Sequence, residues 1–190
     1  MLNSIGEINF LFSLEEKELI NNIQNGDRKA YDTFVQKYQG LVVNTCYGYL
    51  FNREDAEDLA QDIFIDVYTG IKNFKAESKI STWLYRIAIN KSIDYIRKKK
   101  RIKRFGHLSS IFTNEGNTIE IQDNTENPQN TIEQSERIKI LNIAISKLPQ
   151  NQNTAIRLSK FEGLASKEIA EIMDLSNSAV ESLLHRSKTN

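Results

Sequence analysis

The stretch Asn52–Ile71, NREDAEDLAQDIFIDVYTGI, decides the fold class. Its apolar positions Ala56, Leu59, Ala60, Ile63, Phe64, Val67, Tyr68 and Ile71 recur at alternating steps of three and one. That period predicts a helix with one buried stripe, and Asn52 is placed to cap it. Upstream, Tyr31, Phe34, Val35, Tyr38, Leu41 and Val42 repeat at three and four after Asp27 and predict a second such helix. Before that, Ser13 with Glu16 has the form of a capping box, so a first helix is expected from Ser13 to a stop at Gly26.

Downstream, a short loop over Asn73–Lys79 is followed by a long helix capped by Ser81 or Thr82 and running into the basic tract Arg97–Arg104. Residues 13–104 therefore form one helical domain. Residues 105–130 lose the helical period, are rich in Asn, Thr, Gln, Ser and Glu, and are expected to be a flexible acidic linker. Such a chain spans roughly 30 Å on average and roughly 85 Å drawn out. A second domain, 131–190, opens with the stripe Ile138, Leu141, Ile145 and Leu148, which stops at Pro149. Helical pieces follow over 151–161, 166–173 and 177–188. The fold class is all-α, with two small helical domains joined by the linker.

The 25 basic and 25 acidic residues cancel overall but are segregated. Residues 52–71 hold six acids against one base, and residues 72–104 hold twelve bases against two acids. Residues 105–136 hold six acids and no Lys or Arg; residues 137–190 hold eight bases and five acids. Blocks this polarised point to separate partners for separate surfaces. The lone Cys46 excludes an internal disulfide and has the setting of a small core hydrophobe. Two distant histidines and one cysteine do not make a zinc site. No signal peptide or membrane-spanning run is seen, which fits a cytoplasmic protein. There is no nucleophile–base pair, phosphate loop or metal cluster, so no enzyme, catalytic residue, metal or cofactor is expected.

Three segments carry the site candidates. On the acidic helix, Asp55, Asp58 and Asp62 share one stripe. Like charges at helical spacing cost a few tenths of a kcal/mol per pair, which favours a docking face for a basic partner over a stability device. A plain solvated face fits the same pattern. On the long helix, Trp83, Tyr85 and the following cations combine rings that stack on unpaired bases with charges that neutralise phosphates. Core packing of at least one ring, and a solvated basic end, are the simpler alternatives. Near the C-terminus, Ile169, Ala170, Met173, Leu175, Ala179, Val180 and Leu183 face inward around the turn Asp174-Leu175-Ser176, with Ser166 as the first cap. Asn177, Ser178, Glu181, Ser182, His185 and Arg186 face outward, which is the disposition of a helix-turn-helix reading a major groove. A helical hairpin with a merely solvated outer face has the same local pattern.

Taken together, these residues resemble the extracytoplasmic-function (ECF) sigma factors of bacterial RNA polymerase, of the sigma-70 family. Three segments match in order. They are Asp55-Ala56-Glu57-Asp58-Leu59 with Gln61-Asp62 and Phe64; Ser81-Thr82-Trp83-Leu84-Tyr85-Arg86-Ile87-Ala88 with Asn90, Asp94 and Arg97; and Leu148-Pro149, Glu162-Gly163-Leu164, Glu168-Ile169-Ala170 and Ala179-Val180-Glu181-Ser182-Leu183 with Arg186. The resemblance covers residues 15–104 and 132–188. It implies that Asp55, Glu57, Asp58, Gln61 and Asp62 dock on core RNA polymerase. It implies that Asn73, Phe74, Lys75, Ser78, Trp83, Arg86, Asn90 and Arg97 melt and hold the promoter −10 element. Ser176, Asn177, Ser178, Glu181, Ser182, His185 and Arg186 would read the duplex −35 element. The linker would thread through the polymerase, its acids imitating nucleic acid there, and an anti-sigma factor is a further implied partner. Ile80 stands where many relatives carry an aromatic, and with Asn190 so near the recognition helix, fraying and fewer −35 phosphate contacts are expected. No N-terminal acidic inhibitory domain of the housekeeping kind is seen.

Two other readings stay open on sequence. A stand-alone helix-turn-helix regulator would bind palindromic duplex as a dimer, leaving the acidic stripe and the ring-bearing basic helix without a task. A decoy would keep the polymerase face and lack promoter recognition.

Overall fold

The computed structural model describes residues 3–110 and 140–189, with side chains over 14–102 and 140–189. No strand occurs among them. The first lobe is built from α1 (Asn3–Gln24), α2 (Arg28–Leu50), α3 (Arg53–Gly70), a 3₁₀ turn over Ile71–Asn73 and α4 (Ile80–Ser110). The second contains α5 (140–147), α6 (Gln150–Lys160), α7 (Ser166–Met173) and α8 (Asn177–Thr189).

The caps explain most of these boundaries. Asp27 accepts from the Lys29 and Ala30 amides at 2.8 and 3.3 Å, and Asn52 accepts from the Asp55 amide at 2.8 Å. Gly26 ends α1 at φ +91°, a conformation that costs a side chain-bearing residue energy. The expected start of α1 is corrected: the helix passes through Ser13 to Asn3, so Ser13 is no N-cap. Glu16 instead accepts a hydrogen bond from the Tyr38 hydroxyl of α2. The long helix likewise begins at Ile80, one residue before Ser81, and continues past Arg104. Thr82 is buried within its first turn rather than capping it. The expected linker therefore overlaps α4 up to Ser110; its remainder lies outside the described residues.

The first core is formed by Phe34, Val42, Cys46, Ile63, Val67, Ile71, Ile80 and Leu84, with Ile80 filling its place as an aliphatic side chain. Gln24 donates to the carbonyls of Ile71 and Phe74 at 2.9 and 3.0 Å and so fixes the turn between α3 and α4. Cys46 is fully buried; burial pushes its thiol up to about 11, against the opposing pull of Ser92, which leaves it unreactive at neutral pH.

In the second lobe, Ala155, Leu158, Ile169, Ala170, Ile172, Val180 and Leu183 form a core that Tyr85 and Ile89 of α4 complete. The two lobes are thus packed together along α4. Several inward assignments are corrected. Leu141 is 51% exposed and Leu175 37% exposed, whereas Ile145 is buried. Tyr68, at the edge of the α3 stripe, is 41% exposed. Ala165, not Ser166, caps α7, with the Glu168 carboxylate returning to its amide at 3.2 Å. Ile138 lies outside the described residues.

Candidate nucleic-acid interface

The packing of α3 against α2 leaves its polar side facing out. Glu57, Asp58, Gln61 and Asp62 are all exposed. Their circumstances differ. Asp55 is half-buried and its Oδ2 lies 2.8 Å from Lys99 Nζ of α4, while Glu57 pairs with Arg53 one turn away. Asp66 is bound to Lys91 of α4. Asp58, Gln61 and Asp62 remain turned to solvent, and Ile65, one further turn along, is 65% exposed beside them. Sequence reasoning missed Ile65, although an apolar residue out of phase with the buried stripe was a visible signal. A large aliphatic side chain among carboxylates suits the centre of a docking patch, where apolar anchors contribute most of the affinity.

On α4, Trp83, Arg86, Asn90 and Arg97 recur at helical spacing along one side. Trp83 is half-buried; its ring lies 5.2 Å from Phe74 and packs against Gly70. Together the two rings form an aromatic ledge where α3 turns into α4. Asn73, Lys75 and Lys79 project around it, with Ser78 half-buried. In the same turn Ala76 holds φ +56°, a conformation that costs a non-glycine residue about 1–2 kcal/mol. Tyr85 is different: it is 7% exposed and belongs to the core between the lobes.

The helix-turn-helix is formed by α7 and α8. Asp174, at φ +55°, makes the left-handed turn between them. Asn177, Ser178, Glu181, Ser182, His185 and Arg186 are all exposed on the outer side of α8, opposite the buried Val180 and Leu183. Ser176 has a structural task as well, since its hydroxyl accepts from the Ala179 amide at 3.2 Å. Asn177 donates to Glu181 at 2.9 Å, which pre-orders two of the groups that face a groove. Arg186 Nε donates to the Ser182 carbonyl at 3.3 Å, leaving the two terminal nitrogens outward.

A residue that sequence reasoning did not single out is Arg157 of α6. It is 4% exposed, with its guanidinium carbon 4.9 Å from the Phe51 ring centre, 5.2 Å from Tyr49 and 5.7 Å from Phe161. Its Nε donates to Asn153 at 2.8 Å, and Nη1 faces the Gly48 backbone without a partner. Burial pulls its pKa down to about 10, with Tyr49 acting in the opposite sense.

Among the described residues, no group of three or more His, Cys, Asp or Glu is placed to hold a metal ion, and no helix is long and apolar enough to cross a membrane. Residues 34–102 match the family Sigma-70 region 2 and residues 140–190 match Sigma-70, region 4. The chain is 34% identical over 176 residues to the ECF RNA polymerase sigma-E factor of Haemophilus influenzae, an alignment spanning 92% of each chain. It is 34% identical over 174 residues to the ECF RNA polymerase sigma factor SigW of Bacillus subtilis, spanning 90% of this chain and 92% of that one. Among solved structures, CnrH in complex with the cytosolic domain of CnrY is similar with a TM-score of 0.65 at 18% identity over 92% of both chains. The sigma factor RpoE in complex with the anti-sigma factor NepR from Bartonella quintana is similar with a TM-score of 0.59 at 17% identity, over 85% of this chain and 93% of that one. At these identities the two structures show a shared fold. With both regions matched and relatives this similar along nearly the whole length, the chain belongs to the ECF sigma factors of the sigma-70 family.

Proposed function

We propose that this sigma factor docks on core RNA polymerase through the outer face of α3, holds the melted −10 strand on α4 and the α3–α4 turn, and reads the duplex −35 element with α8. It works by binding alone, in the cytoplasm where the polymerase acts. Promoter opening requires only that separated bases be held better than paired ones. Unstacking a base costs a few kcal/mol, and stacking on an aromatic side chain returns about 1–3 kcal/mol. The ledge of Phe74 and Trp83 supplies rings for that exchange, and Lys75, Arg86 and Arg97 supply charge for the phosphates.

The observation that carries this proposal is the division of charge within the first lobe. Solvent-facing Asp58 and Asp62 lie on one helix and the cations of α4 on another, so the two faces suit partners of opposite sign. Co-purification of the chain with core polymerase, followed by run-off transcription, tests it. A transcript that depends on Asp58 and Asp62 supports the proposal. Specific, tight duplex binding without polymerase would support the stand-alone regulator, and polymerase binding without any transcript would support a decoy. The fold shared with the sigma factor RpoE in complex with the anti-sigma factor NepR makes an anti-sigma partner part of the same proposal.

A further inference from the structure

Gln24, the last residue of α1, reaches across to the turn that carries the aromatic ledge. Its side-chain amide donates to the Ile71 carbonyl at 2.9 Å and to the Phe74 carbonyl at 3.0 Å. Both donors of one amide are thus committed to a single turn. The Ile71 carbonyl also accepts from the Phe74 amide at 3.1 Å, which closes that turn from within. Among the described hydrogen bonds, the Phe74 carbonyl accepts only from Gln24.

Gln24 is itself held in place. Ile20 and Ile23 of the same helix are buried. The chain leaves α1 through bonds from the Gly26 amide to the Ile23 carbonyl at 2.9 Å and from the Asp27 amide to the Asn22 carbonyl at 3.0 Å, and Asp27 then caps α2. The amide therefore extends from a rigid corner. The segment it grips is anchored in the core by Ile71 at one end and Ile80 at the other, both fully buried. Between those anchors Lys72, Asn73, Lys75 and Ala76 are exposed. The core fixes where the segment begins and ends. Gln24 fixes how the peptides around Phe74 are turned, and so how that ring meets Trp83.

The strain at Ala76 makes the grip matter. A non-glycine residue at φ +56° stays there only while the chain on both sides constrains it. Without Gln24, the Phe74 carbonyl turns toward water, and Ala76 is free to relax to negative φ. Loss of the two bonds then becomes a displacement of the ledge rather than a local loosening.

We infer that Gln24 is a positioning residue for the promoter strand: through the Ile71 and Phe74 carbonyls it holds the Phe74 ring in the attitude in which, with Trp83, it stacks on a separated base. The inference rests on the proposed strand-holding role of the ledge.

The test uses holoenzyme assembled from core polymerase and the full chain. The probes are a fluorescein-labelled promoter fragment that yields a run-off transcript, pre-opened by mismatches across its −10 region, and a short duplex carrying the −35 element alone. Gln24→Met keeps the length of the side chain and removes both donors. Gln24→Asn keeps the amide but is one methylene too short to reach both carbonyls. Each is expected to bind the pre-opened fragment roughly tenfold more weakly, the scale of one misplaced stacking ring. Binding to the −35 duplex and co-purification with polymerase stay unchanged, which also shows that both lobes are folded. In a Phe74→Ala background, Gln24→Met is expected to add no further loss, because the group it positions is gone. Losses that add in full would make Gln24 a structural residue only and overturn the inference, as would unchanged binding of the pre-opened fragment by both Gln24 variants. If Phe74→Ala and Trp83→Ala themselves bind that fragment as the wild type does, the strand-holding role of the ledge falls, and the inference with it.

Discussion

Lys99 of α4 holds its ammonium 2.8 Å from the Asp55 carboxylate at the start of α3, so the basic and acidic blocks of the first lobe are joined at one point. Burial acts to raise the Asp55 carboxyl, but Lys99 and Tyr95 outweigh it and hold the group below the usual carboxylate range. Asp55 is thereby committed within the chain, while Asp58 and Asp62 are not. Asp58→Lys combined with Asp62→Lys is expected to abolish co-purification with core polymerase, since like charges set against a basic partner cost several kcal/mol, roughly a hundredfold or more in affinity. Asp55→Ala removes a partly exposed ion pair worth about 1 kcal/mol and leaves polymerase affinity within roughly threefold. Equal losses from both would show that Asp55 meets the polymerase directly.

Stability rests on the first core and its caps. Phe34→Ala removes a fully buried ring that contacts Tyr31 and Tyr38, and is expected to cost about 3–5 kcal/mol in urea unfolding. Asp27→Ala removes the cap of α2 and costs about 1 kcal/mol. Loss of roughly equal size at both positions would mean that the core around Phe34 collapses to refill the space.

The helical fold was legible because α2 and α3 bury one stripe each, and burial of a stripe writes its period into sequence. Phe34, Tyr38, Val42, Ile63 and Val67 all occupy the core positions their spacing predicts. Element starts were less legible. Ser13 and Glu16 have the form of a cap, but a cap forms only where the chain before it leaves the helix, and α1 continues back to Asn3. Packing between the lobes was not legible at all. The helix QNQNTAIRLSK carries polar side chains that suit solvent, yet Thr154 and Arg157 are buried where Tyr49 and Phe51 approach from the other lobe. Tyr85 and Ile89 likewise follow the period of their own helix while filling a core more than sixty residues away in sequence. Local periodicity reports that a face is covered, not what covers it.

The aromatic ledge makes a prediction of its own. Trp83→Ala removes a ring against which Phe74 is set and is expected to cost about 1–3 kcal/mol in binding to a single-stranded −10 template, with little change in polymerase affinity. Trp83→Phe, which keeps an aromatic face, restores most of the loss. A ring that served only the core would lower unfolding temperature in proportion and leave strand binding intact once the lobe is folded.

On α8, Ser182→Ala and Arg186→Ala are expected to weaken binding to a duplex −35 element without altering co-purification with polymerase. Binding measured across a salt series distinguishes the two modes of contact. If Arg186 meets a phosphate, its loss weakens all sequences alike and lowers the salt slope by about one; if it meets a base edge, the loss is about 1–3 kcal/mol and relaxes specificity at one position. Unchanged duplex binding by both variants would remove the recognition role from α8.

Acidity should favour the closed packing of the lobes through Glu162. Burial raises the Glu162 carboxyl above its ordinary value of 4.5, and the hydrogen bond from Tyr85 of α4 only partly opposes this. Tyr85 in turn feels both Glu162 and Glu168, and its own hydroxyl is raised by burial first and then by these carboxylates, so it stays protonated and donating throughout. Because the packed-state pKa of Glu162 lies above the free value, the packed lobes bind more proton than the separated ones. The contribution is fully present below about pH 4.5 and is lost as pH rises through the raised value. Scattering from the full chain should therefore show a smaller radius of gyration as pH is lowered from neutrality toward 5. Glu162→Gln mimics the protonated form and is expected to remove that part of the pH dependence, holding the lobes closed at neutral pH. A pH response as steep in Glu162→Gln as in the wild type would assign the effect to another group.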